Sequence, residues 1–157
     1  MSDSKAPIYV ASDHGGFESK NALIGYLKSK GYNVVDVGPF AYDKEDDYPD
    51  YAQKACKGII ATKGKGILIC RTGHGMTITA NKMFGIYASL CLSEESARKA
   101  RVDENTNVLV LAADFTTKEE IEKIAQKWLD TDFMGEERHS RRQNKFKNIE
   151  KSNFKGS

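Results

Sequence analysis

Gly66-Ile67-Leu68-Ile69-Cys70-Arg71-Thr72-Gly73-His74-Gly75-Met76-Thr77 is the stretch that decides the architecture. Its first part is apolar without alternation, the pattern of a strand covered on both faces. Its second part is a Gly-rich turn leading into a helix that carries Asn81 and Lys82. Glycines let a backbone approach a ligand closely, and the free N–H groups of a helix start can hold an anion. A buried strand that breaks into such a turn reads as one unit of a parallel α/β sheet.

Working outward, similar short apolar runs occupy residues 8–11, 33–37, 87–91 and 108–111, with the strand just quoted at 66–70. Helix-length amphipathic stretches separate them. Leu23, Ile24 and Leu27 share a face before Lys28-Ser29-Lys30-Gly31, where cations and then Gly mark a helix end. Ile121, Ile124, Ala125, Trp128 and Leu129 follow helical spacing behind a Thr117-x-x-Glu120 capping box. The alternation predicts a single doubly wound, three-layer α/β/α domain with a five-stranded parallel sheet, Rossmann-like, plus a C-terminal helix. It takes in residues 1–157 as one domain, with a core over about 7–150.

Composition agrees and excludes other classes. The 157 residues carry Lys+Arg 24 against Asp+Glu 22, a net charge of +2, with 39% hydrophobic and 29% charged content. That is one ordinary domain with its own core. The longest apolar run, residues 108–113, is far too short to span a bilayer, and no signal-peptide core follows the polar start. Three cysteines, Cys56, Cys70 and Cys91, form neither an even set nor a CxxC, which points to a reducing, cytoplasmic setting. Residues 134–157 hold seven Lys/Arg and three acids, a local +4 that leaves −2 for the rest. Without interleaved aromatics that tail does not read as a nucleic-acid binder; it is a solvated helix face or a grip for a small phosphate.

In parallel sheets the chemistry sits after the strands, at their carboxyl ends. There the sequence places Ser12-Asp13-His14-Gly15-Gly16, then an acidic loop ending Asp47-Tyr48-Pro49, then the Cys70 turn, and finally Ala112-Ala113-Asp114. The turn after Cys70 is neither a P-loop nor a dinucleotide fingerprint, so ATP and NAD are poor expectations. A thiol at a helix start has its thiolate favoured, making Cys70 a base or nucleophile; otherwise it is a small buried hydrophobe, the reading preferred for Cys56 and Cys91. Asp13 and His14 can supply a carboxylate and an imidazole to that crevice, but taken alone they read first as a helix N-cap with an incidental histidine. His14, His74 and His139 show no metal-ligand spacing, so no metal is expected. Arg138 and Arg142, four apart, share a helix face that either clamps a phosphate or is simply cationic surface.

The ordered set Asp13-His14-Gly15-Gly16, Asp47-Tyr48-Pro49, Gly66 to Cys70 with Thr72-Gly73-x-Gly75, Ala80-Asn81-Lys82, Asn105-Thr106-Asn107-Val108-Leu109 and Arg138-His139-x-x-Arg142 resembles the type B ribose-5-phosphate isomerases. These are relatives of the galactose-6-phosphate isomerase subunits, and the resemblance runs over about residues 8–149. It implies interconversion of ribose 5-phosphate and ribulose 5-phosphate through an enediolate, with no cofactor. It implies Cys70 as the base, Thr72 assisting proton transfer, and the N–H groups from Thr72 to Gly75, including those of Gly73 and His74, at the developing oxyanion. Asp13, His14, Tyr48, Arg71 and Asn81 fall at substrate-binding positions, with His14, Arg138 and Arg142 on the phosphate. A homodimer or homotetramer with sites at the subunit interface follows from the same resemblance.

Four departures from the family pattern stand out. Arg71 replaces a usual Gly, Asp103 and Glu104 replace the ring-opening His and its Asn, Asp114 falls where the family has Arg, and His74 fills a variable position. Arg71 is expected to pair with one of the new acids, and Asp103 to take over ring opening, with His74 as the alternative. The departures also leave open another sugar phosphate, such as a hexose or deoxy-sugar phosphate, or a non-catalytic sugar-phosphate-binding relative.

Overall fold

The structure, a computed structural model, describes residues 6–154. Five parallel strands, β1 (Ile8–Ser12), β2 (Val34–Gly38), β3 (Lys65–Cys70), β4 (Ala88–Leu90) and β5 (Val108–Ala112), run in the order β2-β1-β3-β5-β4. The helices are α1 (Phe17–Ser29), α2 (Tyr48–Thr62), α3 (His74–Ala80), α4 (Glu94–Glu104), α5 (Lys118–Leu129) and α6 (Glu137–Asn153).

Strand residues alternate between two cores, which is why the central strands read as unbroken apolar runs. Val10, Ile67, Ile69, Leu109 and Leu111 meet Leu23, Leu27, Ile121, Ile124 and Trp128 from α1 and α5. Ala11, Leu68, Cys70 and Val110 meet Ala52, Cys56, Ile59 and Met76 from α2 and α3. All five apolar residues of the α5 stripe are buried, and both halves of the capping box form, Thr117 Oγ1 accepting from Glu120 N and Glu120 accepting from Thr117 N. Gly31 takes φ +86°, the left-handed end expected after α1. Cys56 and Cys91 are fully buried among apolar side chains.

Three boundaries move. The edge strand β4 covers three residues, not five, and is only half-buried; β2 is also partly exposed, because an edge strand lacks a neighbour on one side. The helix after the Gly-rich turn ends at Ala80, so Asn81 is its C-cap and Lys82 lies beyond it. The basic tail forms α6, whose buried residues are His139 and Gln143; Lys155 lies outside the described residues. Glu150 anchors α6 by accepting from Gly85 N at 2.7 Å and the Tyr87 hydroxyl at 2.6 Å.

From β1 the chain passes to β2 on one side and then to β3 on the other. The carboxyl ends of β1 and β3 therefore flank a topological switch point, where parallel sheets open a crevice.

Candidate active site

Cys70 ends β3 at that switch point, 5% exposed. The Gly73 N–H donates to its Sγ at 3.1 Å. Gly73 can do so because its φ is +82°, and because a Cβ there would lie 2.4 Å from Leu90 Cδ1. The expectation that this setting favours the thiolate needs correction. N–H groups of Gly73, Met76 and Thr72 do favour it, but burial is the larger effect, and with the nearby Asp13 carboxylate it pushes the thiol above its ordinary range. The resting group is the thiol.

Asp13 and His14 follow β1. Asp13 is buried and caps a single 3-10 turn, accepting from Gly16 N at 3.2 Å, so the N-cap reading is correct. Burial is the main cause raising its carboxyl above the usual range. A Cβ on Gly16 would lie 2.5 Å from Ile69 O, so this turn rests directly on the β3 backbone. His14 is held by a residue that sequence reasoning did not single out. Asp46 Oδ1 lies 2.6 Å from His14 Nδ1 and accepts from His14 N at 3.1 Å. That hydrogen bond is the largest cause raising the imidazole above its ordinary range.

Asp13, His14 and Asp46 bring one ligand-type atom each to within 4.8 Å of one another. Within that group His14 Nδ1 and Asp46 Oδ1 are joined by the 2.6 Å hydrogen bond, which makes an acid–base pair beside the Asp13 carboxyl.

Tyr48, at the first position of α2, lies over the Gly-rich loop: a Cβ on Gly75 would be 2.4 Å from its Cζ. Thr72 is half-buried in the loop, and His74, the first residue of α3, is exposed. Arg71 pairs with Asp114 at 3.2 Å, so two of the four departures neutralise each other. Its stem crosses Gly15, where a Cβ would sit 2.2 Å from Arg71 Cγ. A cleft of about 480 Å³, lined by His14, Gly15, Tyr42 and Asp114 among others, opens beside this pair.

The remaining expected residues lie elsewhere. Asp103 occupies the last turn of α4, which runs against the strands and delivers the chain to the start of β5. It is therefore at the opposite end of the sheet from Cys70, separated by the six-residue length of β3, about 20 Å. Asp103 Oδ1 stands 3.7 Å from His139 Nε2, and its carbonyl accepts from Gln143 at 3.3 Å, so the first turns of α6 share that end. Arg138 pairs with Glu136 at 3.1 Å and Arg142 is exposed. Asn81 is used structurally, exchanging two hydrogen bonds with the main chain of Ala88 at 2.8 and 3.0 Å and so fixing the edge strand.

A buried thiol in a Gly-rich turn, an Asp-His turn beside it and a crevice at the switch point define an α/β enzyme acting on a small polar substrate. The comparisons make the class particular. Residues 8–146 match the family model described as Ribose/Galactose Isomerase. The chain is 43% identical over 146 residues to a probable ribose-5-phosphate isomerase B of Mycoplasma genitalium, covering 92% of this chain and 95% of that one. Against the ribose-5-phosphate isomerase B of Mycobacterium leprae the identity is 34%, over 86% of this chain and 84% of the relative. The crystal structure of the M. genitalium isomerase with bound ribulose-5-phosphate superposes with a TM-score of 0.89 at 42% identity, over 92% and 96% of the two chains. That of the Thermotoga maritima ribose 5-phosphate isomerase gives 0.87 at 41%, over 92% and 99%. The chain belongs to the ribose/galactose isomerase family.

Proposed function

We propose that the chain interconverts ribose 5-phosphate and ribulose 5-phosphate by proton transfer, with Cys70 as the base. The position of Cys70 carries this reading: a buried Sγ at the switch point, touched by a loop N–H, in a family with a ribulose-5-phosphate-bound relative. Cys70 first gives up its thiol proton to solvent, and the thiolate then takes the C2 proton of the open-chain aldose and leaves an enediolate. The Cys70 thiol, whose proton exchanges with solvent while the enediolate persists, delivers a proton to C1, which restores the thiolate and yields the ketose. The loop N–H groups from Thr72 to Gly75 face the developing oxyanion, and the Thr72 hydroxyl relays the proton between O1 and O2.

The phosphate and ring-opening groups must then come from a second copy. Asp103, Arg138 and Arg142 sit at the far end of the sheet, out of reach of Cys70 in one chain, whereas a two-fold dimer brings the far end of one protomer to the crevice of the other. In that arrangement His14 of one protomer and Arg138 and Arg142 of the second hold the phosphate. Asp103, backed by His139, moves a proton between ring and anomeric oxygens. Among the described residues no helix is long and apolar enough to cross a membrane. We place the enzyme in the cytoplasm, which its three unpaired thiols support.

A second reading keeps the chemistry and changes the sugar phosphate. The Arg71–Asp114 pair at the cleft, where the family has Gly and Arg, favours it. Rates on a panel of aldose phosphates decide: ribose 5-phosphate should be fastest, and a faster hexose phosphate, or none at all, overturns the proposal. Co-expressing Cys70→Ala with Arg142→Ala subunits tests the shared site. Statistical mixing should restore about a quarter of the wild-type sites; no recovery would place the whole site in one chain.

A further inference from the structure

Asp46 sits in the exposed acidic loop ahead of α2, yet its side chain is only 5% exposed. It reaches His14, 32 residues away, with two contacts to one oxygen: the main-chain N–H at 3.1 Å and ring Nδ1 at 2.6 Å. Its other oxygen, Oδ2, is buried with no hydrogen-bond partner. Withdrawing a carboxylate from water and leaving one oxygen unpaired is costly, and a merely structural tether would need only the main-chain contact. The short bond to the ring is the contact that offsets this cost, and it does so most strongly when the ring is an imidazolium.

We infer that Asp46 is a positioning residue for His14: it fixes the ring with Nδ1–H toward the loop, turns Nε2 to the cleft, and holds the imidazole in its charged form for the substrate phosphate. This deepens the reading in which His14 contacts that phosphate, and rests on it. The other groups around the ring are few. Asp13, on its own turn, also favours the charged form, and Arg71 after β3 opposes it. The Tyr42 ring stands perpendicular to the imidazole, with the centroids 6.2 Å apart. Glu18 from α1, and Asp114 and Lys118 on the β5 side, line the same cleft. Asp46 is the acid in direct contact with the ring. With a folded-state pKa raised, His14 keeps its proton to higher pH, and the charge-assisted contact is lost as pH rises through that raised value.

Asp46→Asn isolates the charge, because the amide oxygen can still accept both hydrogen bonds. The full-length wild type and variant are titrated by NMR on the imidazole signals, with His14→Asn assigning the His14 signal. KM and kcat for ribose 5-phosphate are measured over the same pH range. The wild-type His14 midpoint should lie above the ordinary value of about 6.5, and Asp46→Asn should lower it, since the Asp46 hydrogen bond is the largest cause of the rise. At a pH between the two midpoints, KM should rise up to about 10-fold while kcat stays within twofold; at low pH, where both rings are charged, the KM values should converge. A wild-type midpoint at or below the ordinary value, or one that Asp46→Asn does not move, overturns the inference; the wild-type titration alone serves if the variant does not fold. A lowered midpoint with an unmoved KM profile upholds the coupling of Asp46 to His14 and overturns instead the placing of the phosphate against His14.

Discussion

Gly75→Ala tests whether the loop after β3 lines the reacting centre. The Cβ it adds would lie 2.4, 2.6 and 2.9 Å from Cζ, Cε2 and Cε1 of Tyr48. Carbon pairs rest at about 3.5–4.0 Å, so ring and loop must separate by about 1 Å or more. Tyr48 is 40% exposed and can swing outward. The stability loss should therefore stay below about 1 kcal/mol, part of it offset by the better helix propensity of Ala, about 0.5–1 kcal/mol. Chemistry is less forgiving. A displacement of about 1 Å costs on the order of 100-fold in rate, equivalent to about 2.7 kcal/mol in the barrier. Thermal unfolding and steady-state isomerisation of the same preparation separate the two effects. Adding Tyr48→Ala removes the obstacle, and in that background Gly75→Ala should have little further effect. Normal stability together with a rate within about twofold of wild type would refute the placement of Tyr48 and the loop.

Gly16→Ala should behave oppositely, since its Cβ would meet Ile69 O at 2.5 Å, a backbone atom that cannot swing away. We expect a stability loss of about 1–3 kcal/mol, read as a fall in Tm of roughly 2–12 °C, and a wild-type Tm would show that the turn does not rest on β3. Arg71 and Asp114 should show a coupling of only about 0.2–1 kcal/mol in a double-mutant cycle of unfolding, because both are well exposed. A coupling above about 2 kcal/mol would mean that the pair is sequestered in the assembled protein. Asp103→Asn should leave ribulose 5-phosphate consumption nearly intact, while its rate on ribose 5-phosphate reaches a plateau as enzyme is added, limited by spontaneous ring opening. A fully proportional rate would take Asp103 out of that step.

The central strands were legible because residues buried on both faces leave nothing polar to interrupt the run, as in Ile67 to Ile69 and Val108 to Leu111. The edge strands were less so, since Val35 is exposed and the polar Asp36, which accepts from the buried Lys20, interrupts the apolar run. Cys70 stood out from its place between a buried strand and a Gly-rich turn. The sign of its pKa shift did not, because sequence displays the helix start but not the burial that outweighs it. Asp46 was hidden among Asp43, Glu45 and Asp47, its acidic neighbours; only the folded loop brings it alone to His14. The pairing of Arg71 with a new acid was readable from the two departures together. The separation of Asp103 from Cys70 has a simple cause: Asp103 precedes a strand and Cys70 ends one, and residues that precede parallel strands lie opposite those that follow them.

Cys70→Ala, assayed in D₂O with ribulose 5-phosphate, tests the central claim most directly. The variant should still bind the ketose phosphate, while isomerisation and deuterium incorporation at C1 fall together by roughly 100- to 10,000-fold. A variant that keeps most of its turnover and its exchange would contradict the account, because the proton would then be moving on some group other than the Cys70 thiolate.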